Sequence, residues 1–329
     1  MQKLRSIQVL RAMAVLAVVI CHAANWLPGQ AGVDLFFVIS GLIIGMVMQG
    51  RSASDFLFAR VWRIYPIYWF NAVPLVIAAV IGGTITPTRL ATSVTLWPIW
   101  GTYAAGYVTP AWTLSFEMLF YSLVAVGLAV KRPLLVVPTL LGAIVLNAVT
   151  GAAVLGFVGN PIVLEFCAGL FILNLPRHLM IGAGAFVIAC VVVCLAPEIH
   201  INTNNLMHFS VNATRLFWFG IPACGVVYGA LCFEESFGTW ANGLVFVGDA
   251  SYSIYLLHFF LNIILPFLWP LKVVACLLAG SAMYWWIERQ FIAMRPRWPK
   301  HAAAARDNYP EKGASRSRLR IFAAASADR

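Results

Sequence analysis

The sequence predicts an all-helical protein that crosses a membrane about ten times. Of its 329 residues, 61% are hydrophobic and 10% are charged, whereas soluble proteins typically carry about 25% charged residues. The mean hydropathy of the chain is +0.85. Apolar stretches of roughly 20 residues recur along it, and such a stretch pairs its backbone amides in lipid by forming a helix. The period-2 alternation of hydrophobicity that marks a membrane β-barrel is absent.

Ten apolar stretches are predicted to be the membrane spans. They lie near 7–26, 31–50, 64–83, 112–130, 134–151, 157–174, 179–196, 214–233, 247–268 and 271–288. The first one resembles a signal peptide, but Arg11 interrupts it and further spans follow at once, so we expect an uncleaved first span. The polar connections at 84–111 and 197–213 are either a substrate mouth or simple connectors.

The distribution of Lys and Arg predicts that both termini lie in the cytoplasm. With the N-terminus inside, most of the 22 Lys and Arg residues become cytoplasmic, while Arg89, Arg215 and Lys272 fall on the outer side. Residues 291–329 are expected to be a basic, disordered cytoplasmic tail that contacts membrane lipids. Nucleic acid is not an expected partner, because the tail lacks interleaved aromatic residues on which bases stack.

The seven cysteines do not form a recognisable metal or disulfide pattern. No C-x-x-C occurs and the number of cysteines is odd, so we expect no zinc site, no other metal site and no disulfide framework.

Three acid–base residues in the apolar spans are the candidates for catalysis. Ionisable groups are costly in lipid and usually face a cavity or a charged partner. His22 and Asp34 are predicted to lie at similar depth on adjacent helices, and Glu117 follows in the segment PAWTLSFEMLFY. A carboxylate beside an imidazole orients it for work as a base. The alternative is a buried hydrogen-bonded cluster that only stabilises the bundle.

Five further residues are expected to surround these candidates: Trp112, Ser115, Tyr121, Tyr255 and His258. Tyr121 lies at i, i+4 from Glu117, while Trp112 and Ser115 share a face at i, i+3. In the ninth span, Tyr255 lies three residues before His258. The residue His258 is equally well explained as a functional group or as a core histidine bonded to its neighbours.

Three arginines on the predicted inner side are candidates for phosphate binding. Arg60 and Arg63 project together from the segment DFLFARVWRIYPIYW, and guanidinium groups bind phosphate in a bidentate manner. Such a pair is more often ordinary positive-inside charge. Arg11 enters the membrane from the same side and shares a helix face with His22, which suggests a polar path between the two surfaces.

Five segments in order resemble the acyltransferase 3 family of bacterial membrane proteins, and most of all its exopolysaccharide O-acetyltransferase branch. The segments are IQVLRAMAVLAVVICHA at 7–23, GVDLFFVISGLII at 32–44, FLFARVWRIYPIYW at 56–69, AWTLSFEMLFY at 111–121 and GDASYSIYLLH at 248–258. The resemblance covers the chain to about residue 290, so we expect one transmembrane acyltransferase domain over 1–290.

The resemblance implies a reaction and assigns roles to residues of this chain. It implies a bacterial inner-membrane enzyme that uses cytoplasmic acyl-CoA, with acetyl as the acyl group, and a saccharide acceptor that is in some cases lipid-linked. The family's first-helix motif falls on Arg11 and His22, and its R-x-x-R motif on Arg60 and Arg63. Its fourth-helix motif falls on Trp112, Ser115 and Glu117. Many members carry a second acid where this chain has Met118, so a role for a second acid is not expected here.

These observations give one main hypothesis and one rival. In the first, the three arginines hold acetyl-CoA, and His22, oriented by Asp34 or Glu117, acts as a base or accepts the acyl group itself. In the second, the protein transports a lipid-linked saccharide, since ten helices with buried charges suit a transporter equally well. Binding of acetyl-CoA distinguishes the two.

Overall fold

A computed structural model describes residues 4–97, 106–153, 155–199 and 207–296, and within these ranges the chain is helical and has no strand. This part of the chain contains α1 (Arg5–Ala24), α2 (Ala31–Val47), α3 (Ala53–Ile81), α4 (Pro87–Thr95), α5 (Trp112–Ala129), α6 (Val136–Thr150), α7 (Leu155–Val158), α8 (Val163–Ile172), α9 (Leu179–Cys194), α10 (Phe209–Arg215), α11 (Ile221–Cys232), α12 (Asn242–Ile264), α13 (Trp269–Met283) and α14 (Arg289–Ala293). Two π-helical turns, Leu216–Gly220 and Tyr284–Glu288, continue α10 into α11 and α13 into α14.

The predicted spans are all helical. Within the described ranges, nine helical segments have at least 18 residues and are apolar enough to cross a membrane. The tenth, predicted near 179–196, is α9, an apolar helix of only 16 residues. The all-helical, multi-pass fold is therefore confirmed, while the side of the membrane on which each terminus lies stays a prediction.

Helix α3 begins well before its predicted span. The prediction placed the span at 64–83, but the helix starts at Ala53, where the hydroxyl of Ser52 accepts a backbone N–H of the first turn. The prediction started after Arg60 and Arg63 because these two charged residues interrupt the apolar run of the sequence. Long guanidinium side chains reach polar partners while their stems stay in apolar surroundings, so the helix continues through both arginines.

Helices α1 and α2 form the centre of the bundle. Helix α1 packs against α2 and α12, and α2 packs against α8. Where α2 crosses α8, a Cβ on Gly41 would lie 2.0 Å from the carbonyl oxygen of Phe166, and one on Gly169 would lie 2.1 Å from that of Val38. Only glycine permits this approach of two backbones. Helices α3 and α5 pack against each other and also contact α12 and α2, respectively.

Large apolar side chains cover the outside of the bundle. Val149 on α6, Met180 on α9 and Leu278 on α13 are among the most exposed large apolar residues of the described chain. In water such a surface would be unfavourable, whereas the hydrocarbon of a bilayer solvates it. The distribution agrees with a protein whose outer helices face lipid.

The end of the bundle at which α1 and α3 begin and α2 ends is called the basic end here, and the opposite end is the distal end. At the basic end Glu234 caps α1, since its carboxylate accepts the backbone N–H groups of Arg5 (2.7 Å) and Ser6 (3.0 Å). The Arg5 guanidinium donates to Gly238 O and to Asn242 Oδ1. These bonds satisfy free amides of the helix N-terminus and join α1 to the α11–α12 connection.

Candidate functional site

A cavity of about 240 Å³ lies among α1, α2, α3, α5 and α12. Its polar lining is Arg11, Ser40, Arg60, Arg63, Thr113, Glu117, Tyr121, Ser251, Tyr252 and Tyr255. Its apolar lining is Val33, Phe36, Phe37, Ile39, Ile43, Ile64 and Leu114. The helix order places the arginines towards the basic end and most of the large apolar groups towards the distal end. The cavity therefore offers cationic groups at one end and an apolar compartment at the other.

Glu117 is held in the wall of this cavity by two hydroxyl groups. Ser40 Oγ donates to Glu117 Oε1 over 2.8 Å, and the Tyr121 hydroxyl donates to the same oxygen. Ser40 Oγ and the Tyr121 hydroxyl also lie 3.1 Å apart. The sequence predicted that Glu117 and Tyr121 share a face, and the structure brings both to the cavity, whereas Ser40 was not predicted.

The two arginines of α3 have different surroundings. Arg63 forms an ion pair with Glu288, and its Cζ lies 5.5 Å from the centre of the Tyr252 ring. Arg60 makes no hydrogen bond or ion pair with any described residue, and its Nε is buried without a partner. Its Cζ lies 6.0 Å from the Tyr121 ring centre. Arg60 is thus the guanidinium with more unused donors.

Arg11 brings a third guanidinium to the same end of the cavity. Its Nη1 donates to Gln8 Oε1 over 3.4 Å, a long bond within α1. The charges of Arg63, Glu288, Asp249 and Glu117 all act on it. Of the three guanidinium groups that line this end, one is compensated by the Arg63–Glu288 ion pair, and the others offer donors to an anionic ligand.

At the distal end, Tyr255 closes the cavity. Its hydroxyl donates to Pro110 O over 3.0 Å and lies 3.1 Å from Thr113 Oγ1, and its ring contacts Phe36 edge-on. The lining residues of this cavity do not include His22. This cavity therefore contains the Arg11 end of the predicted polar path but not its His22 end.

His22 lies beyond this closure, next to His258. The two ring centres are 4.9 Å apart, and His258 in turn lies 5.4 Å from the ring of Tyr255. His22 is exposed, and its Nδ1 lies 2.9 Å from the carbonyl oxygen of Val18, to which it can only donate. This bond leaves Nε2 with the lone pair that a base or nucleophile uses. The orienting acceptor is thus a backbone carbonyl rather than a carboxylate.

His258 repeats this pattern inside the protein. It is fully buried, its Nδ1 donates to Tyr255 O over 2.5 Å, and its Nε2 has no partner among the described residues. His258 was predicted to lie in the site's surroundings, and in the structure it lies against His22.

The partner of Asp34 is Arg215, not His22, which corrects the predicted pairing. Arg215 Nε donates to Asp34 Oδ1 (2.8 Å) and Nη2 donates to Oδ2 (2.5 Å), with both side chains buried. Arg215 also donates to the carbonyl oxygen of Gln30 over 3.0 Å. The pairing was missed because Arg215 was counted only as a charge on the predicted outer side, and not among the ionisable residues inside the spans, whereas it is buried at the end of α10 beside Asp34.

The two remaining predicted residues of the fourth-span motif do not line the cavity. Trp112 contacts the rings of Phe37 and Phe116 edge-on, behind the apolar compartment. Ser115 is fully buried, and its Oγ has no hydrogen-bond partner among the described residues. Both residues support the wall of the cavity rather than its surface.

Two buried acids, Glu288 and Glu165, were not among the predicted site residues. Glu288 accepts Ser253 Oγ over 2.5 Å in addition to pairing with Arg63, and Glu165 lies beside Asp34 with no donor to its carboxylate among the described residues. Both lie within predicted spans, so the rule that identified Asp34 and Glu117 applies to them equally. In the described part of the chain, no group of three or more His, Cys, Asp or Glu residues is placed to hold a metal ion.

Comparison with known proteins adds a family match over nearly all of the described chain. The family model described as "Acyltransferase domain" matches residues 4–293. The match includes every residue of the cavity and both histidines. The match ends two residues before Arg295, which is the last residue of the first compact unit of the chain. Most of the predicted tail, from residue 297 on, lies outside the described residues.

Three known proteins are similar to this chain. The exopolysaccharide production protein ExoZ of Rhizobium meliloti (strain 1021) is 32% identical over 265 residues, which are 70% of this chain and 76% of ExoZ. BcsY of Komagataeibacter xylinus, named as a membrane-bound transacylase, is 25% identical over 84% of this chain and 77% of its own. Nodulation protein 10 of Rhizobium leguminosarum bv. viciae is 27% identical over 34% of this chain and 41% of its own length. No solved structure matches.

Proposed function

Since this chain belongs to the acyltransferase family that matches it over residues 4–293, we propose that it transfers an acetyl group from coenzyme A to a hydroxyl group of an exported saccharide. The observation that carries the proposal is the cavity in which three guanidinium groups and Glu117 meet beside an apolar compartment. In a membrane acyltransferase, such a cavity suits a donor with an anionic nucleotide and an uncharged acyl arm.

The size of the cavity supports binding of the donor in two parts, with the acyl arm inside the cavity and the nucleotide at its basic end. Ligand pockets commonly measure about 300–1,000 Å³, and this one is smaller, at about 240 Å³. A space of this size takes only part of the donor, so the acetyl-bearing end of the pantetheine arm enters it while the nucleotide stays at the basic end. There Arg60, Arg63 and Arg11 supply donors for its phosphate groups.

His22 is the proposed base of the reaction. Its Nε2 removes the proton from the acceptor hydroxyl, the resulting oxygen attacks the thioester carbonyl, and the C–S bond breaks. The coenzyme A thiolate then takes the proton from the imidazolium. An acyl-imidazole on Nε2 is the alternative, with the same products. In either case the acetyl end passes Tyr255, so this side chain turns away from Pro110 and Thr113 during the cycle.

The acceptor and the orientation are inferred from the relatives and from charge. One relative is named for exopolysaccharide production and another as a transacylase, which supports a saccharide acceptor. The excess of Lys and Arg at the basic end supports a cytoplasmic position for it, in a bacterial inner membrane. His22 at the distal end then faces the compartment through which saccharides are exported.

Mass spectrometry of the cell-surface polysaccharide tests the proposal. Cells that lack the protein, or carry only His22→Ala, are expected to produce polysaccharide without the acetyl mass that wild-type cells add. His178→Ala is the matched control, because His178 is an exposed residue before α9 and outside the cavity. Unchanged acetylation in His22→Ala cells, with the variant present in the membrane at the wild-type amount, would contradict the mechanism.

A second measurement separates enzyme from transporter. Purified wild-type protein is expected to bind radiolabelled acetyl-CoA, and unlabelled coenzyme A is expected to displace it. A purified, folded protein that binds the saccharide but no acetyl-CoA would favour the transport hypothesis.

A further inference from the structure

Glu288 occupies an unusual place at the end of α13. It is the last residue of the π-helical turn Tyr284–Glu288. In this turn Trp285 and Trp286 are exposed, 51% and 70%, whereas Glu288 is 1% exposed and points into the bundle. A π-turn changes the register of side chains around a helix, and such turns are frequent at functional sites. Here the turn carries a carboxylate into the interior of a membrane protein.

Both oxygens of this carboxylate are engaged by other helices. Oε1 pairs with Arg63 of α3, and Oε2 accepts the hydroxyl of Ser253 of α12 over 2.5 Å. Trp62 precedes Arg63 in α3. Its indole N–H donates to Phe291 O over 2.8 Å, which fixes α3 against α14. Arg63 lines the cavity whereas Glu288 and Ser253 do not, so Arg63 is held by groups outside the cavity lining.

The contact with Glu288 leaves most of the Arg63 guanidinium free. A guanidinium has five N–H donors, and Arg63 uses only Nη1 on a described side chain. Its side chain is 30% exposed and lines the cavity. An arginine held at one edge by a buried carboxylate keeps its planar fork in one orientation, so less conformational freedom is lost when an anion binds.

We propose that Glu288, braced by Ser253, is a positioning residue that fixes Arg63 for recognition of the phosphate groups of the donor. This role rests on the proposed function and deepens it. Glu288 does not touch the donor. Its effect is exerted through Arg63 and is confined to ligands that carry phosphate. Arg60 has no carboxylate partner among the described residues, so its guanidinium contacts the donor without being held in one orientation beforehand.

The test compares phosphate-bearing and phosphate-free ligands on purified full-length protein. Coenzyme A and pantetheine compete against radiolabelled acetyl-CoA for wild type, Glu288→Gln and Ser253→Ala. Glu288→Gln is expected to weaken coenzyme A about tenfold, as when a charge-assisted hydrogen bond loses its alignment, and to leave pantetheine unchanged. Ser253→Ala is expected to produce a smaller loss in the same direction. Glu235→Gln, which neutralises an exposed acid, is the control.

A double-variant cycle tests the route of the effect. The single variant Arg63→Gln leaves the buried Glu288 carboxylate unpaired. The double variant Arg63→Gln/Glu288→Gln has no unpaired buried charge at this contact, so it is expected to fold better than Arg63→Gln alone. Adding Glu288→Gln to Arg63→Gln is expected to weaken coenzyme A no further. Equal losses for coenzyme A and pantetheine, or losses that multiply in the cycle, would overturn the inference.

The outcomes also separate this inference from the proposed function. If wild-type protein binds no coenzyme A, the proposed function fails. If wild type binds coenzyme A and Glu288→Gln binds it equally well, only the role of Glu288 fails.

Discussion

Replacing Arg215 by methionine is expected to destabilise the protein far more than neutralising its partner Asp34. The structure places two buried carboxylates, Asp34 and Glu165, beside one guanidinium. Arg215→Met leaves both acids in a buried site without a cation, and loss of one partner of a buried pair costs about 3–5 kcal/mol. Asp34→Asn keeps a hydrogen-bond acceptor and leaves Glu165 as a substitute partner, so we expect a cost of about 1–3 kcal/mol.

Tryptophan fluorescence during heating in detergent, at one scan rate, measures the difference. At roughly 2 °C per kcal/mol, Arg215→Met should lower the Tm by roughly 6–10 °C. Arg177→Met, which changes an exposed arginine, should leave the Tm near that of wild type. A Tm for Arg215→Met equal to or above that of Asp34→Asn would refute the reasoning. So would a complete loss of acetyl transfer in Asp34→Asn at wild-type Tm, since it would assign Asp34 to the chemistry.

Two further predictions concern the packing of α1. Gly248→Val on α12 should prevent folding or strongly reduce the Tm, because a Cβ there would lie 2.0 Å from Gln8 O. The control variant Gly243→Ala should be tolerated, since there is open space around Gly243. Membrane yield and Tm measure both effects. Glu234→Gln should lower the Tm by an amount equivalent to about 1 kcal/mol through weaker capping of α1, measured against Glu235→Gln, and an unchanged Tm would contradict the capping role.

The fold was predictable because lipid imposes one dominant rule. Apolar stretches long enough to span a bilayer must be helices, and all ten predicted stretches are helical in the described chain. The start of α3 was not predictable from apolarity, because Arg60 and Arg63 interrupt the apolar run. Their tolerance in a helix depends on neighbours from other elements, such as Glu288, whose proximity no local pattern encodes.

The sequence predicted which residues line the cavity better than it predicted which side chains contact one another. The sequence identified Arg11, Arg60, Arg63, Glu117 and Tyr121, all of which line one cavity. The histidine pair and the buried ion pair of α2 and α10 depend on which helices are neighbours and how they are rotated. Charge counting predicts the side of the membrane but not this rotation, and so it did not identify Arg215 as the cation of that ion pair.

Transfer of radiolabelled acetyl from acetyl-CoA to saccharide by purified protein in vesicles tests the central claim most directly. The saccharide is taken from cells that lack the protein, so its acceptor hydroxyl groups are unmodified. We predict that wild type labels the saccharide and that Arg60→Ala and His22→Ala do not, although both retain the wild-type Tm. Undiminished labelling by either variant would contradict an account in which the guanidinium groups of the cavity hold the donor and His22 activates the acceptor.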